Sequence, residues 1–91
     1  MNQIDSEQLL EQLIDDVVCA KSIESAKDVL YSVAKPTAML LKAVDYCIRL
    51  HDGQFRKSGE PYSIHPILVC SFVAHMGGDE SMLIAALLHD V

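Results

Sequence analysis

Aromatic residues are scarce in this chain. The 91 residues include no tryptophan, three tyrosines and two phenylalanines, so any core must be aliphatic. The hydrophobic content of 51% is high enough for such a core, and the dominant Ala, Leu, Ile and Val suit packed helices better than a sheet. No segment alternates polar and apolar residues with period two, and nothing in the sequence predicts a β-hairpin. These absences favour one small helical domain or a piece of a larger one.

Basic residues are also too few to form a general nucleic-acid surface. The net charge is −6 and the isoelectric point is near 4.9, whereas DNA-binding domains carry a basic face. A local basic pocket for a phosphorylated small molecule is still compatible with this charge. The N-terminus has no basic segment followed by an apolar run, and no apolar stretch reaches transmembrane length. We therefore expect neither a DNA nor a membrane partner.

The cysteines show no disulfide or zinc-site pattern. There are three, Cys19, Cys47 and Cys70, without a CxxC motif. Each lies among apolar residues of a predicted helix, so we predict buried free thiols in a reducing cytoplasm.

The spacing of apolar residues predicts five helices, at about 6–18, 23–34, 36–51, 66–76 and from 80 onward. Ser22 and Asp79 are placed to cap the second and fifth helices. Pro36 and Pro66 fit the first turns of the third and fourth, where a missing N–H costs nothing. The first helix has an apolar stripe on one face, made of Leu9, Leu10, Leu13, Ile14, Val17 and Val18.

The sequence reaches Val91 without a helix-ending signal, which we interpret as a cut inside an element. On that interpretation the fifth helix would lack its covering segments, leaving Leu83, Leu87 and Leu88 partly bare. Exposed apolar surface of this kind favours self-association. We therefore expect the chain to form a homo-oligomer, a dimer or a higher assembly.

The segment HDGQFRKSGEPYSIHP, residues 51–66, is the most unusual in the chain. Arg56 and Lys57 concentrate positive charge on an acidic protein; they are either an ordinary solvated pair or a phosphate-binding pair. The two prolines would stiffen the loop. His51 continues the buried stripe of the third helix and is either a hydrogen-bonded histidine at the helix end or a group lining a site.

Three residues could bind one metal ion. His65 lies at the start of the fourth helix, and the adjacent pair His89 and Asp90 ends the apolar fifth helix. Adjacent helical residues point about 100° apart, but both can reach an ion that lies between them. Two imidazoles and a carboxylate suit a first-row divalent ion. A His-Asp pair at a helix end is, however, more often an ordinary surface pair.

The segment 51–66, followed after a helix by AALLHDV at residues 85–91, resembles the N-terminal hydrolase domain of RelA/SpoT-type (p)ppGpp enzymes. These enzymes belong to the HD-domain phosphohydrolase superfamily. The resemblance spans roughly residues 38–91 and implies the N-terminal part of an HD-domain fold. Residues 1–35 would then be a helical lead-in, and residues 36–91 would carry the motifs.

The resemblance implies a function for each matching residue. His65, His89 and Asp90 match three ligands of a single Mn²⁺, and Arg56 and Lys57 match the pair that engages the guanine nucleotide, with Ser58 beside the base. The family reaction removes the 3′-pyrophosphate of ppGpp or pppGpp. Which residues are catalytic, and whether the parent also synthesises (p)ppGpp, do not follow from these motifs.

Two other interpretations remain open. One is a non-catalytic helical module that binds a nucleotide or a partner, as in RelA-type synthetases with a degenerate hydrolase domain. The other is a helical bundle whose His and Asp residues are surface caps. The intact motif residues favour a parent that hydrolyses (p)ppGpp.

A polypeptide of these 91 residues alone is expected to show no appreciable (p)ppGpp hydrolysis and to bind Mn²⁺ weakly at best, whereas the intact domain is expected to bind Mn²⁺. The family continues past His-Asp-Val with a Glu-Asp pair that positions the attacking water, and it supplies a fourth metal ligand, an aspartate, further on. Neither lies within residues 1–91. A hydrolysis assay with added Mn²⁺ checks this, and turnover comparable to that of a complete hydrolase domain would contradict it.

Overall fold

The computed structural model of the chain describes residues 6–89 as a bundle of five helices. They are α1 (Ser6–Cys19), α2 (Ile23–Val33), α3 (Ala38–Leu50), α4 (Ile64–His75) and α5 (Glu80–Leu88). Across residues 6–89 the only β-type pairing is one isolated bridge, and none of the five helices is long and apolar enough to cross a bilayer. The small all-α bundle predicted from the sequence is confirmed.

The core forms around α4, which packs against α2 on one side and α5 on the other, while α5 also packs against α3. α4 is apolar around most of its circumference, as expected for a helix with neighbours on several sides. The core side chains are almost completely buried: Ala26, Leu30, Leu40, Ala43, Val44, Cys47, Ile64, Ile67, Cys70, Leu83 and Leu87. They are aliphatic or cysteine, as the scarcity of aromatic residues requires.

Two predicted N-caps are confirmed by their hydrogen bonds. The Ser22 hydroxyl accepts from the Ser25 N–H, and the Ser25 hydroxyl accepts in turn from the Ser22 N–H, which completes a capping box. The Asp79 carboxylate accepts from the Met82 N–H at 3.0 Å. Each cap satisfies helix N–H groups that have no partner within the helix.

The start of α3 was predicted two residues too early. Pro36 lies outside the helix, and Thr37 is the N-cap, with its hydroxyl accepting from the Leu40 N–H at 3.2 Å. The same hydroxyl donates to the Glu80 carboxylate at 2.5 Å. Thr37 therefore connects the first turns of α3 and α5, a long-range contact that no local pattern reveals.

The start of α4 was predicted two residues too late. The helix begins at Ile64, so His65 is its second residue and Pro66 its third. Proline is tolerated there because the N–H groups of the first helical turn have no partner within the helix. The shift places His65 inside the first turn, so the helix fixes its backbone.

The predicted apolar stripe of α1 is mostly uncovered. Only Leu13 is buried, in a small cluster with Ala20 and Val29, whereas Val18 is 63% exposed. Leu9, Leu10 and Ile14 are also exposed. The periodicity predicted the helix correctly but did not predict how little of it the rest of the bundle covers.

The expected exposed surface on α5 is wrong for Leu83 and Leu87, and of the three leucines only Leu88 is partly exposed. Leu83 and Leu87 are 7% and 0% exposed, and Leu88 is half-buried against the core. α3 and α4 cover this helix within the described residues. The possible homo-oligomer stays a prediction, but α5 does not supply the bare leucines on which it was based.

The three thiols should differ strongly in reactivity. Cys19 is exposed, contrary to the prediction, whereas Cys47 and Cys70 are buried. Burial first, and the neighbouring Cys47 second, raise the pKa of Cys70 to about 12. The Cys70 thiol also donates to the Leu83 carbonyl at 3.4 Å. We expect the exposed Cys19 thiol to react rapidly with a disulfide reagent at pH 8. The buried thiols of Cys47 and Cys70 should react only as the protein unfolds.

Mass mapping of the labelled peptides identifies which thiol has reacted. A Cys19→Ser variant is the control, and it should lose the fast phase completely. Rapid labelling of three thiols in the native chain would contradict the buried positions of Cys47 and Cys70.

Candidate functional site

The helices bring His65 and His89 next to each other. α4 and α5 form a helical hairpin with a short connection, so the start of α4 lies beside the end of α5. His65 is in the first turn of α4, and His89 is the residue that ends α5. Their ring centroids are 6.4 Å apart, with ring planes inclined at 62°. Two imidazoles that are 24 positions apart in the sequence thus face one another.

A backbone hydrogen bond sets the state of the His89 ring. Nδ1 lies 2.5 Å from the Ala86 carbonyl oxygen. A carbonyl can only accept, so Nδ1 carries the proton and Nε2 carries the lone pair of the neutral ring. Histidines that bind metals commonly donate their second nitrogen to a backbone carbonyl in this way.

The distance between the two imidazoles lies near the upper limit for binding to one shared divalent ion. With metal–nitrogen bonds of about 2.1 Å, two imidazoles on one ion can have centroids at most roughly 6.5 Å apart. The separation of 6.4 Å is close to that limit, so a bonding angle well below 180° requires a small side-chain rotation. Asp90, the third predicted ligand, lies outside the described residues. Within residues 6–89 no three His, Cys, Asp or Glu side chains lie close enough together to hold a metal ion.

The segment that leads to His65 folds as a short hairpin, although the sequence predicted none. Phe55 and Pro61 form an antiparallel bridge. The Tyr62 N–H donates to the Gln54 carbonyl at 2.9 Å, and the Arg56 N–H donates to the Glu60 carbonyl at 2.9 Å. The hairpin is too short for a period-two pattern, which explains why the sequence did not reveal it.

Arg56 and Lys57 lie at the turn of this hairpin, and both are exposed. Gly59 closes the turn by donating its N–H to the Arg56 carbonyl at 2.8 Å, with φ at +97°, a backbone conformation that favours glycine. Among residues 6–89 no carboxylate lies within ion-pair distance of either cation. The turn therefore presents two positive charges to solvent on an acidic protein.

Glu60 organises the other side of the turn and was not singled out from the sequence. Its carboxylate accepts a hydrogen bond from the Ser58 hydroxyl, and it forms an ion pair with Lys21 at 3.7 Å. The Ser58 hydrogen bond, followed by the charges of Lys21 and Arg56, lowers the pKa of Glu60. Lys21 belongs to the connection between α1 and α2, so this contact joins the loop to the N-terminal helices.

His51 and Tyr62 extend the site inward. His51 is 5% exposed and caps the end of α3. Its ring packs on Tyr62 with centroids 5.0 Å apart, and Tyr62 in turn packs on His65 at 6.1 Å. His51 thus combines both sequence interpretations: it is a hydrogen-bonded histidine at a helix end, and it adjoins the site. Tyr62, three residues before His65, had no role assigned from the sequence.

The chain matches a known family over its motif-bearing half. The sequence profile described as "HD domain" matches residues 43–91. This match covers α4, α5, most of α3 and the entire hairpin. No solved structure gives a significant match to the chain.

Curated relatives point to the same type of HD domain. A probable guanosine-3′,5′-bis(diphosphate) 3′-pyrophosphohydrolase of Synechocystis is 39% identical over 78% of this chain and 9% of its own length. The guanosine-3′,5′-bis(diphosphate) 3′-pyrophosphohydrolase of Borreliella burgdorferi is 52% identical over 57% of this chain and 8% of its own length. A bifunctional (p)ppGpp synthase/hydrolase RelA of Mycobacterium tuberculosis is 42% identical over 58% of this chain and 7% of its own length. The chain spans less than a tenth of these relatives.

The lowered pKa of Glu60 predicts a pH-dependent contribution to stability. A carboxylate whose folded pKa lies below its ordinary value of 4.5 stabilises the fold above pH 4.5, and this contribution is lost as the pH falls through the folded pKa. Urea unfolding of the wild type and Glu60→Gln should differ at pH 6, and the difference should shrink below pH 4.5.

Ser58→Ala is the matched comparison, because it removes the largest cause of the shift and leaves the charge in place. Its effect should be in the same direction and smaller. A difference between wild type and Glu60→Gln that grows on acidification would contradict the hydrogen-bonded carboxylate.

Proposed function

The chain belongs to the HD domain family, in its RelA/SpoT type, and from this premise we propose that it is part of a Mn²⁺-dependent (p)ppGpp 3′-pyrophosphohydrolase of the cytoplasm. The observation that carries the proposal is the approach of His65 to His89 beside a hairpin with two exposed cations. The two imidazoles suit a metal, and the two cations, Arg56 and Lys57, suit a phosphorylated substrate. Several relatives bear the name GTP pyrophosphokinase, so a parent that also synthesises (p)ppGpp is compatible with the proposal.

In this proposal His65, His89 and Asp90 hold the metal. The hydrogen bond between His89 Nδ1 and Ala86 supports this role, because it leaves Nε2 as the ring nitrogen that could bind a cation. A bound Mn²⁺ would supply polarisation of the phosphate and activation of water near neutral pH. The protein would hold the two imidazoles close together, His65 in the first turn of α4 and His89 at the end of α5.

The guanine nucleotide is assigned to the turn of the hairpin. Arg56 offers a planar guanidinium, which can stack on a base or pair with a phosphate, and Lys57 offers a mobile ammonium. Neither charge is neutralised by an ion pair among the described residues. Ser58 donates to Glu60, so in this arrangement its hydroxyl can only accept from a base N–H, and donation to the base would require the Glu60 hydrogen bond to be exchanged.

Titration of Mn²⁺ and of ppGpp into the chain tests the proposal. His65→Ala should weaken Mn²⁺ binding about tenfold or more, because it removes one imidazole of the pair. Arg56→Ala should weaken ppGpp binding about tenfold, the usual cost of losing a charged hydrogen bond. His75→Ala and Lys35→Ala are matched controls that remove a histidine or an exposed cation away from the site, and they should leave both affinities unchanged.

The outcomes separate the proposed hydrolase from a non-catalytic module. Mn²⁺ binding that survives His65→Ala unchanged would contradict the metal assignment. Nucleotide binding that depends on Arg56 but not on Mn²⁺ or His65 would favour the nucleotide-binding module. No ppGpp binding by the wild type would remove the support for both.

A further inference from the structure

His51 has a buried nitrogen without a partner. The side chain lies at the end of α3 and is 5% exposed. Nε2 is buried and has no hydrogen-bond partner within residues 6–89. Buried polar atoms are normally paired, and an exception calls for an explanation. Phenylalanine would fill a similar space without leaving a polar atom unpaired, so packing alone does not explain a histidine here.

The other nitrogen of His51 holds the base of the hairpin. Nδ1 lies 3.0 Å from the Gln54 side-chain oxygen, and the Gln54 N–H donates to the His51 carbonyl at 3.0 Å. Because the Gln54 side-chain oxygen can only accept, Nδ1 is the donor of this contact, and Nε2 is the nitrogen without a partner among the described residues. Two contacts thus fix Gln54 against the end of α3.

The same set of contacts continues to His65. The Gln54 carbonyl accepts from the Tyr62 N–H at 2.9 Å, and the Tyr62 carbonyl accepts from the His65 N–H at 3.1 Å. The rings follow the same order, with His51 on Tyr62 and Tyr62 on His65. His65 is therefore positioned through both its backbone and its ring by residues that His51 holds.

We propose that His51 is a positioning residue of the His65–His89 site and acts through Gln54 and Tyr62 to set the direction of the His65 imidazole. The His51 ring packs on Tyr62, and Tyr62 packs on His65. The inference rests on the proposed function in one respect only, namely that the positioned imidazole binds a metal ion. The positioning itself can be measured without metal.

The proposal predicts that stability and site geometry respond in opposite ways to two substitutions. His51→Phe keeps a ring against Tyr62 and removes the unpaired nitrogen, but it loses the donor to Gln54. His51→Asn loses the ring and is expected to lower the unfolding temperature, yet its amide nitrogen can occupy the position of Nδ1 and donate to Gln54. A purely structural role would make Asn the more damaging change in every measurement.

The experiment measures thermal unfolding, the imidazole Cε1–H resonances of His65 and His89, and Mn²⁺ affinity by electron paramagnetic resonance. We expect His51→Phe to unfold at or above the wild-type temperature, to shift the His65 resonance and to weaken Mn²⁺ binding about tenfold, which is typical when a group behind a ligand is lost. His51→Asn should bind Mn²⁺ more tightly than His51→Phe despite lower stability.

Gln54→Met provides a second test in a variant that should fold, because Gln54 is exposed. It removes and replaces no ring, so a shift of the His65 resonance would have to come from movement of the existing groups. It should weaken Mn²⁺ binding as His51→Phe does. His75→Phe, at the far end of α4, is the control and should change neither quantity.

Each result has a defined meaning. An unchanged His65 resonance and unchanged Mn²⁺ affinity in both His51→Phe and Gln54→Met would overturn the inference, as would Mn²⁺ affinities that simply follow the unfolding temperatures. A wild type that binds no Mn²⁺, with a His65 resonance that shifts in both variants, would support the positioning role and count against the proposed metal site. Shifted resonances together with weakened Mn²⁺ binding would support both.

Discussion

The packing of α4 against α5 is the constraint on which the site depends. From His65 to the end of α4 is ten residues, or about 15 Å, and α5 returns over a similar length. The turn between the helices has Gly77 with φ at +87° and Gly78 so close to α4 that a Cβ there would lie 2.6 Å from Cγ1 of Val73. A wider turn or a different register would carry His89 past His65. The pairing of the two imidazoles is therefore a consequence of helix length and turn geometry.

The core holds the helical hairpin of α4 and α5 in place without using any polar group of the site. α4 and α5 are apolar on most sides, and their side chains pack against α2 and α3. The polar residues lie at the ends of these helices, where N–H and C=O groups of the backbone are unpaired. The Ala86 carbonyl in the last turn of α5 is such a group, and it fixes the His89 tautomer. The end of α5 thus supplies both the place of the ligand candidate and the hydrogen bond that orients its ring.

The sequence predicted the parts of this arrangement that depend on local pattern. Periodicity located all five helices, and the side chains of Ser22 and Asp79 identified two of the helix starts. It misplaced the starts of α3 and α4 by two residues. The other errors concern contacts between residues apart in the sequence: Thr37 bonding to Glu80, the bridge between Phe55 and Pro61, and the extent to which neighbouring helices cover each apolar stripe. Periodicity shows which face of a helix is apolar, but not whether another helix lies against it. For this reason the sequence did not reveal that Leu83 and Leu87 of α5 are buried while Leu9 and Leu10 of α1 are exposed.

The site is held from two directions, and the two are independent. The α4–α5 hairpin fixes the distance between His65 and His89, while the end of α3 and the loop fix the direction in which His65 points. The contacts that orient His65 are hydrogen bonds and ring contacts between residues of the segment 51–65. This segment of the chain is short enough to order itself locally. The cations of the turn belong to the same segment. A single loop therefore couples the orientation of a ligand candidate to the presentation of positive charge, and a substrate that draws on Arg56 and Lys57 would act on the backbone that positions His65.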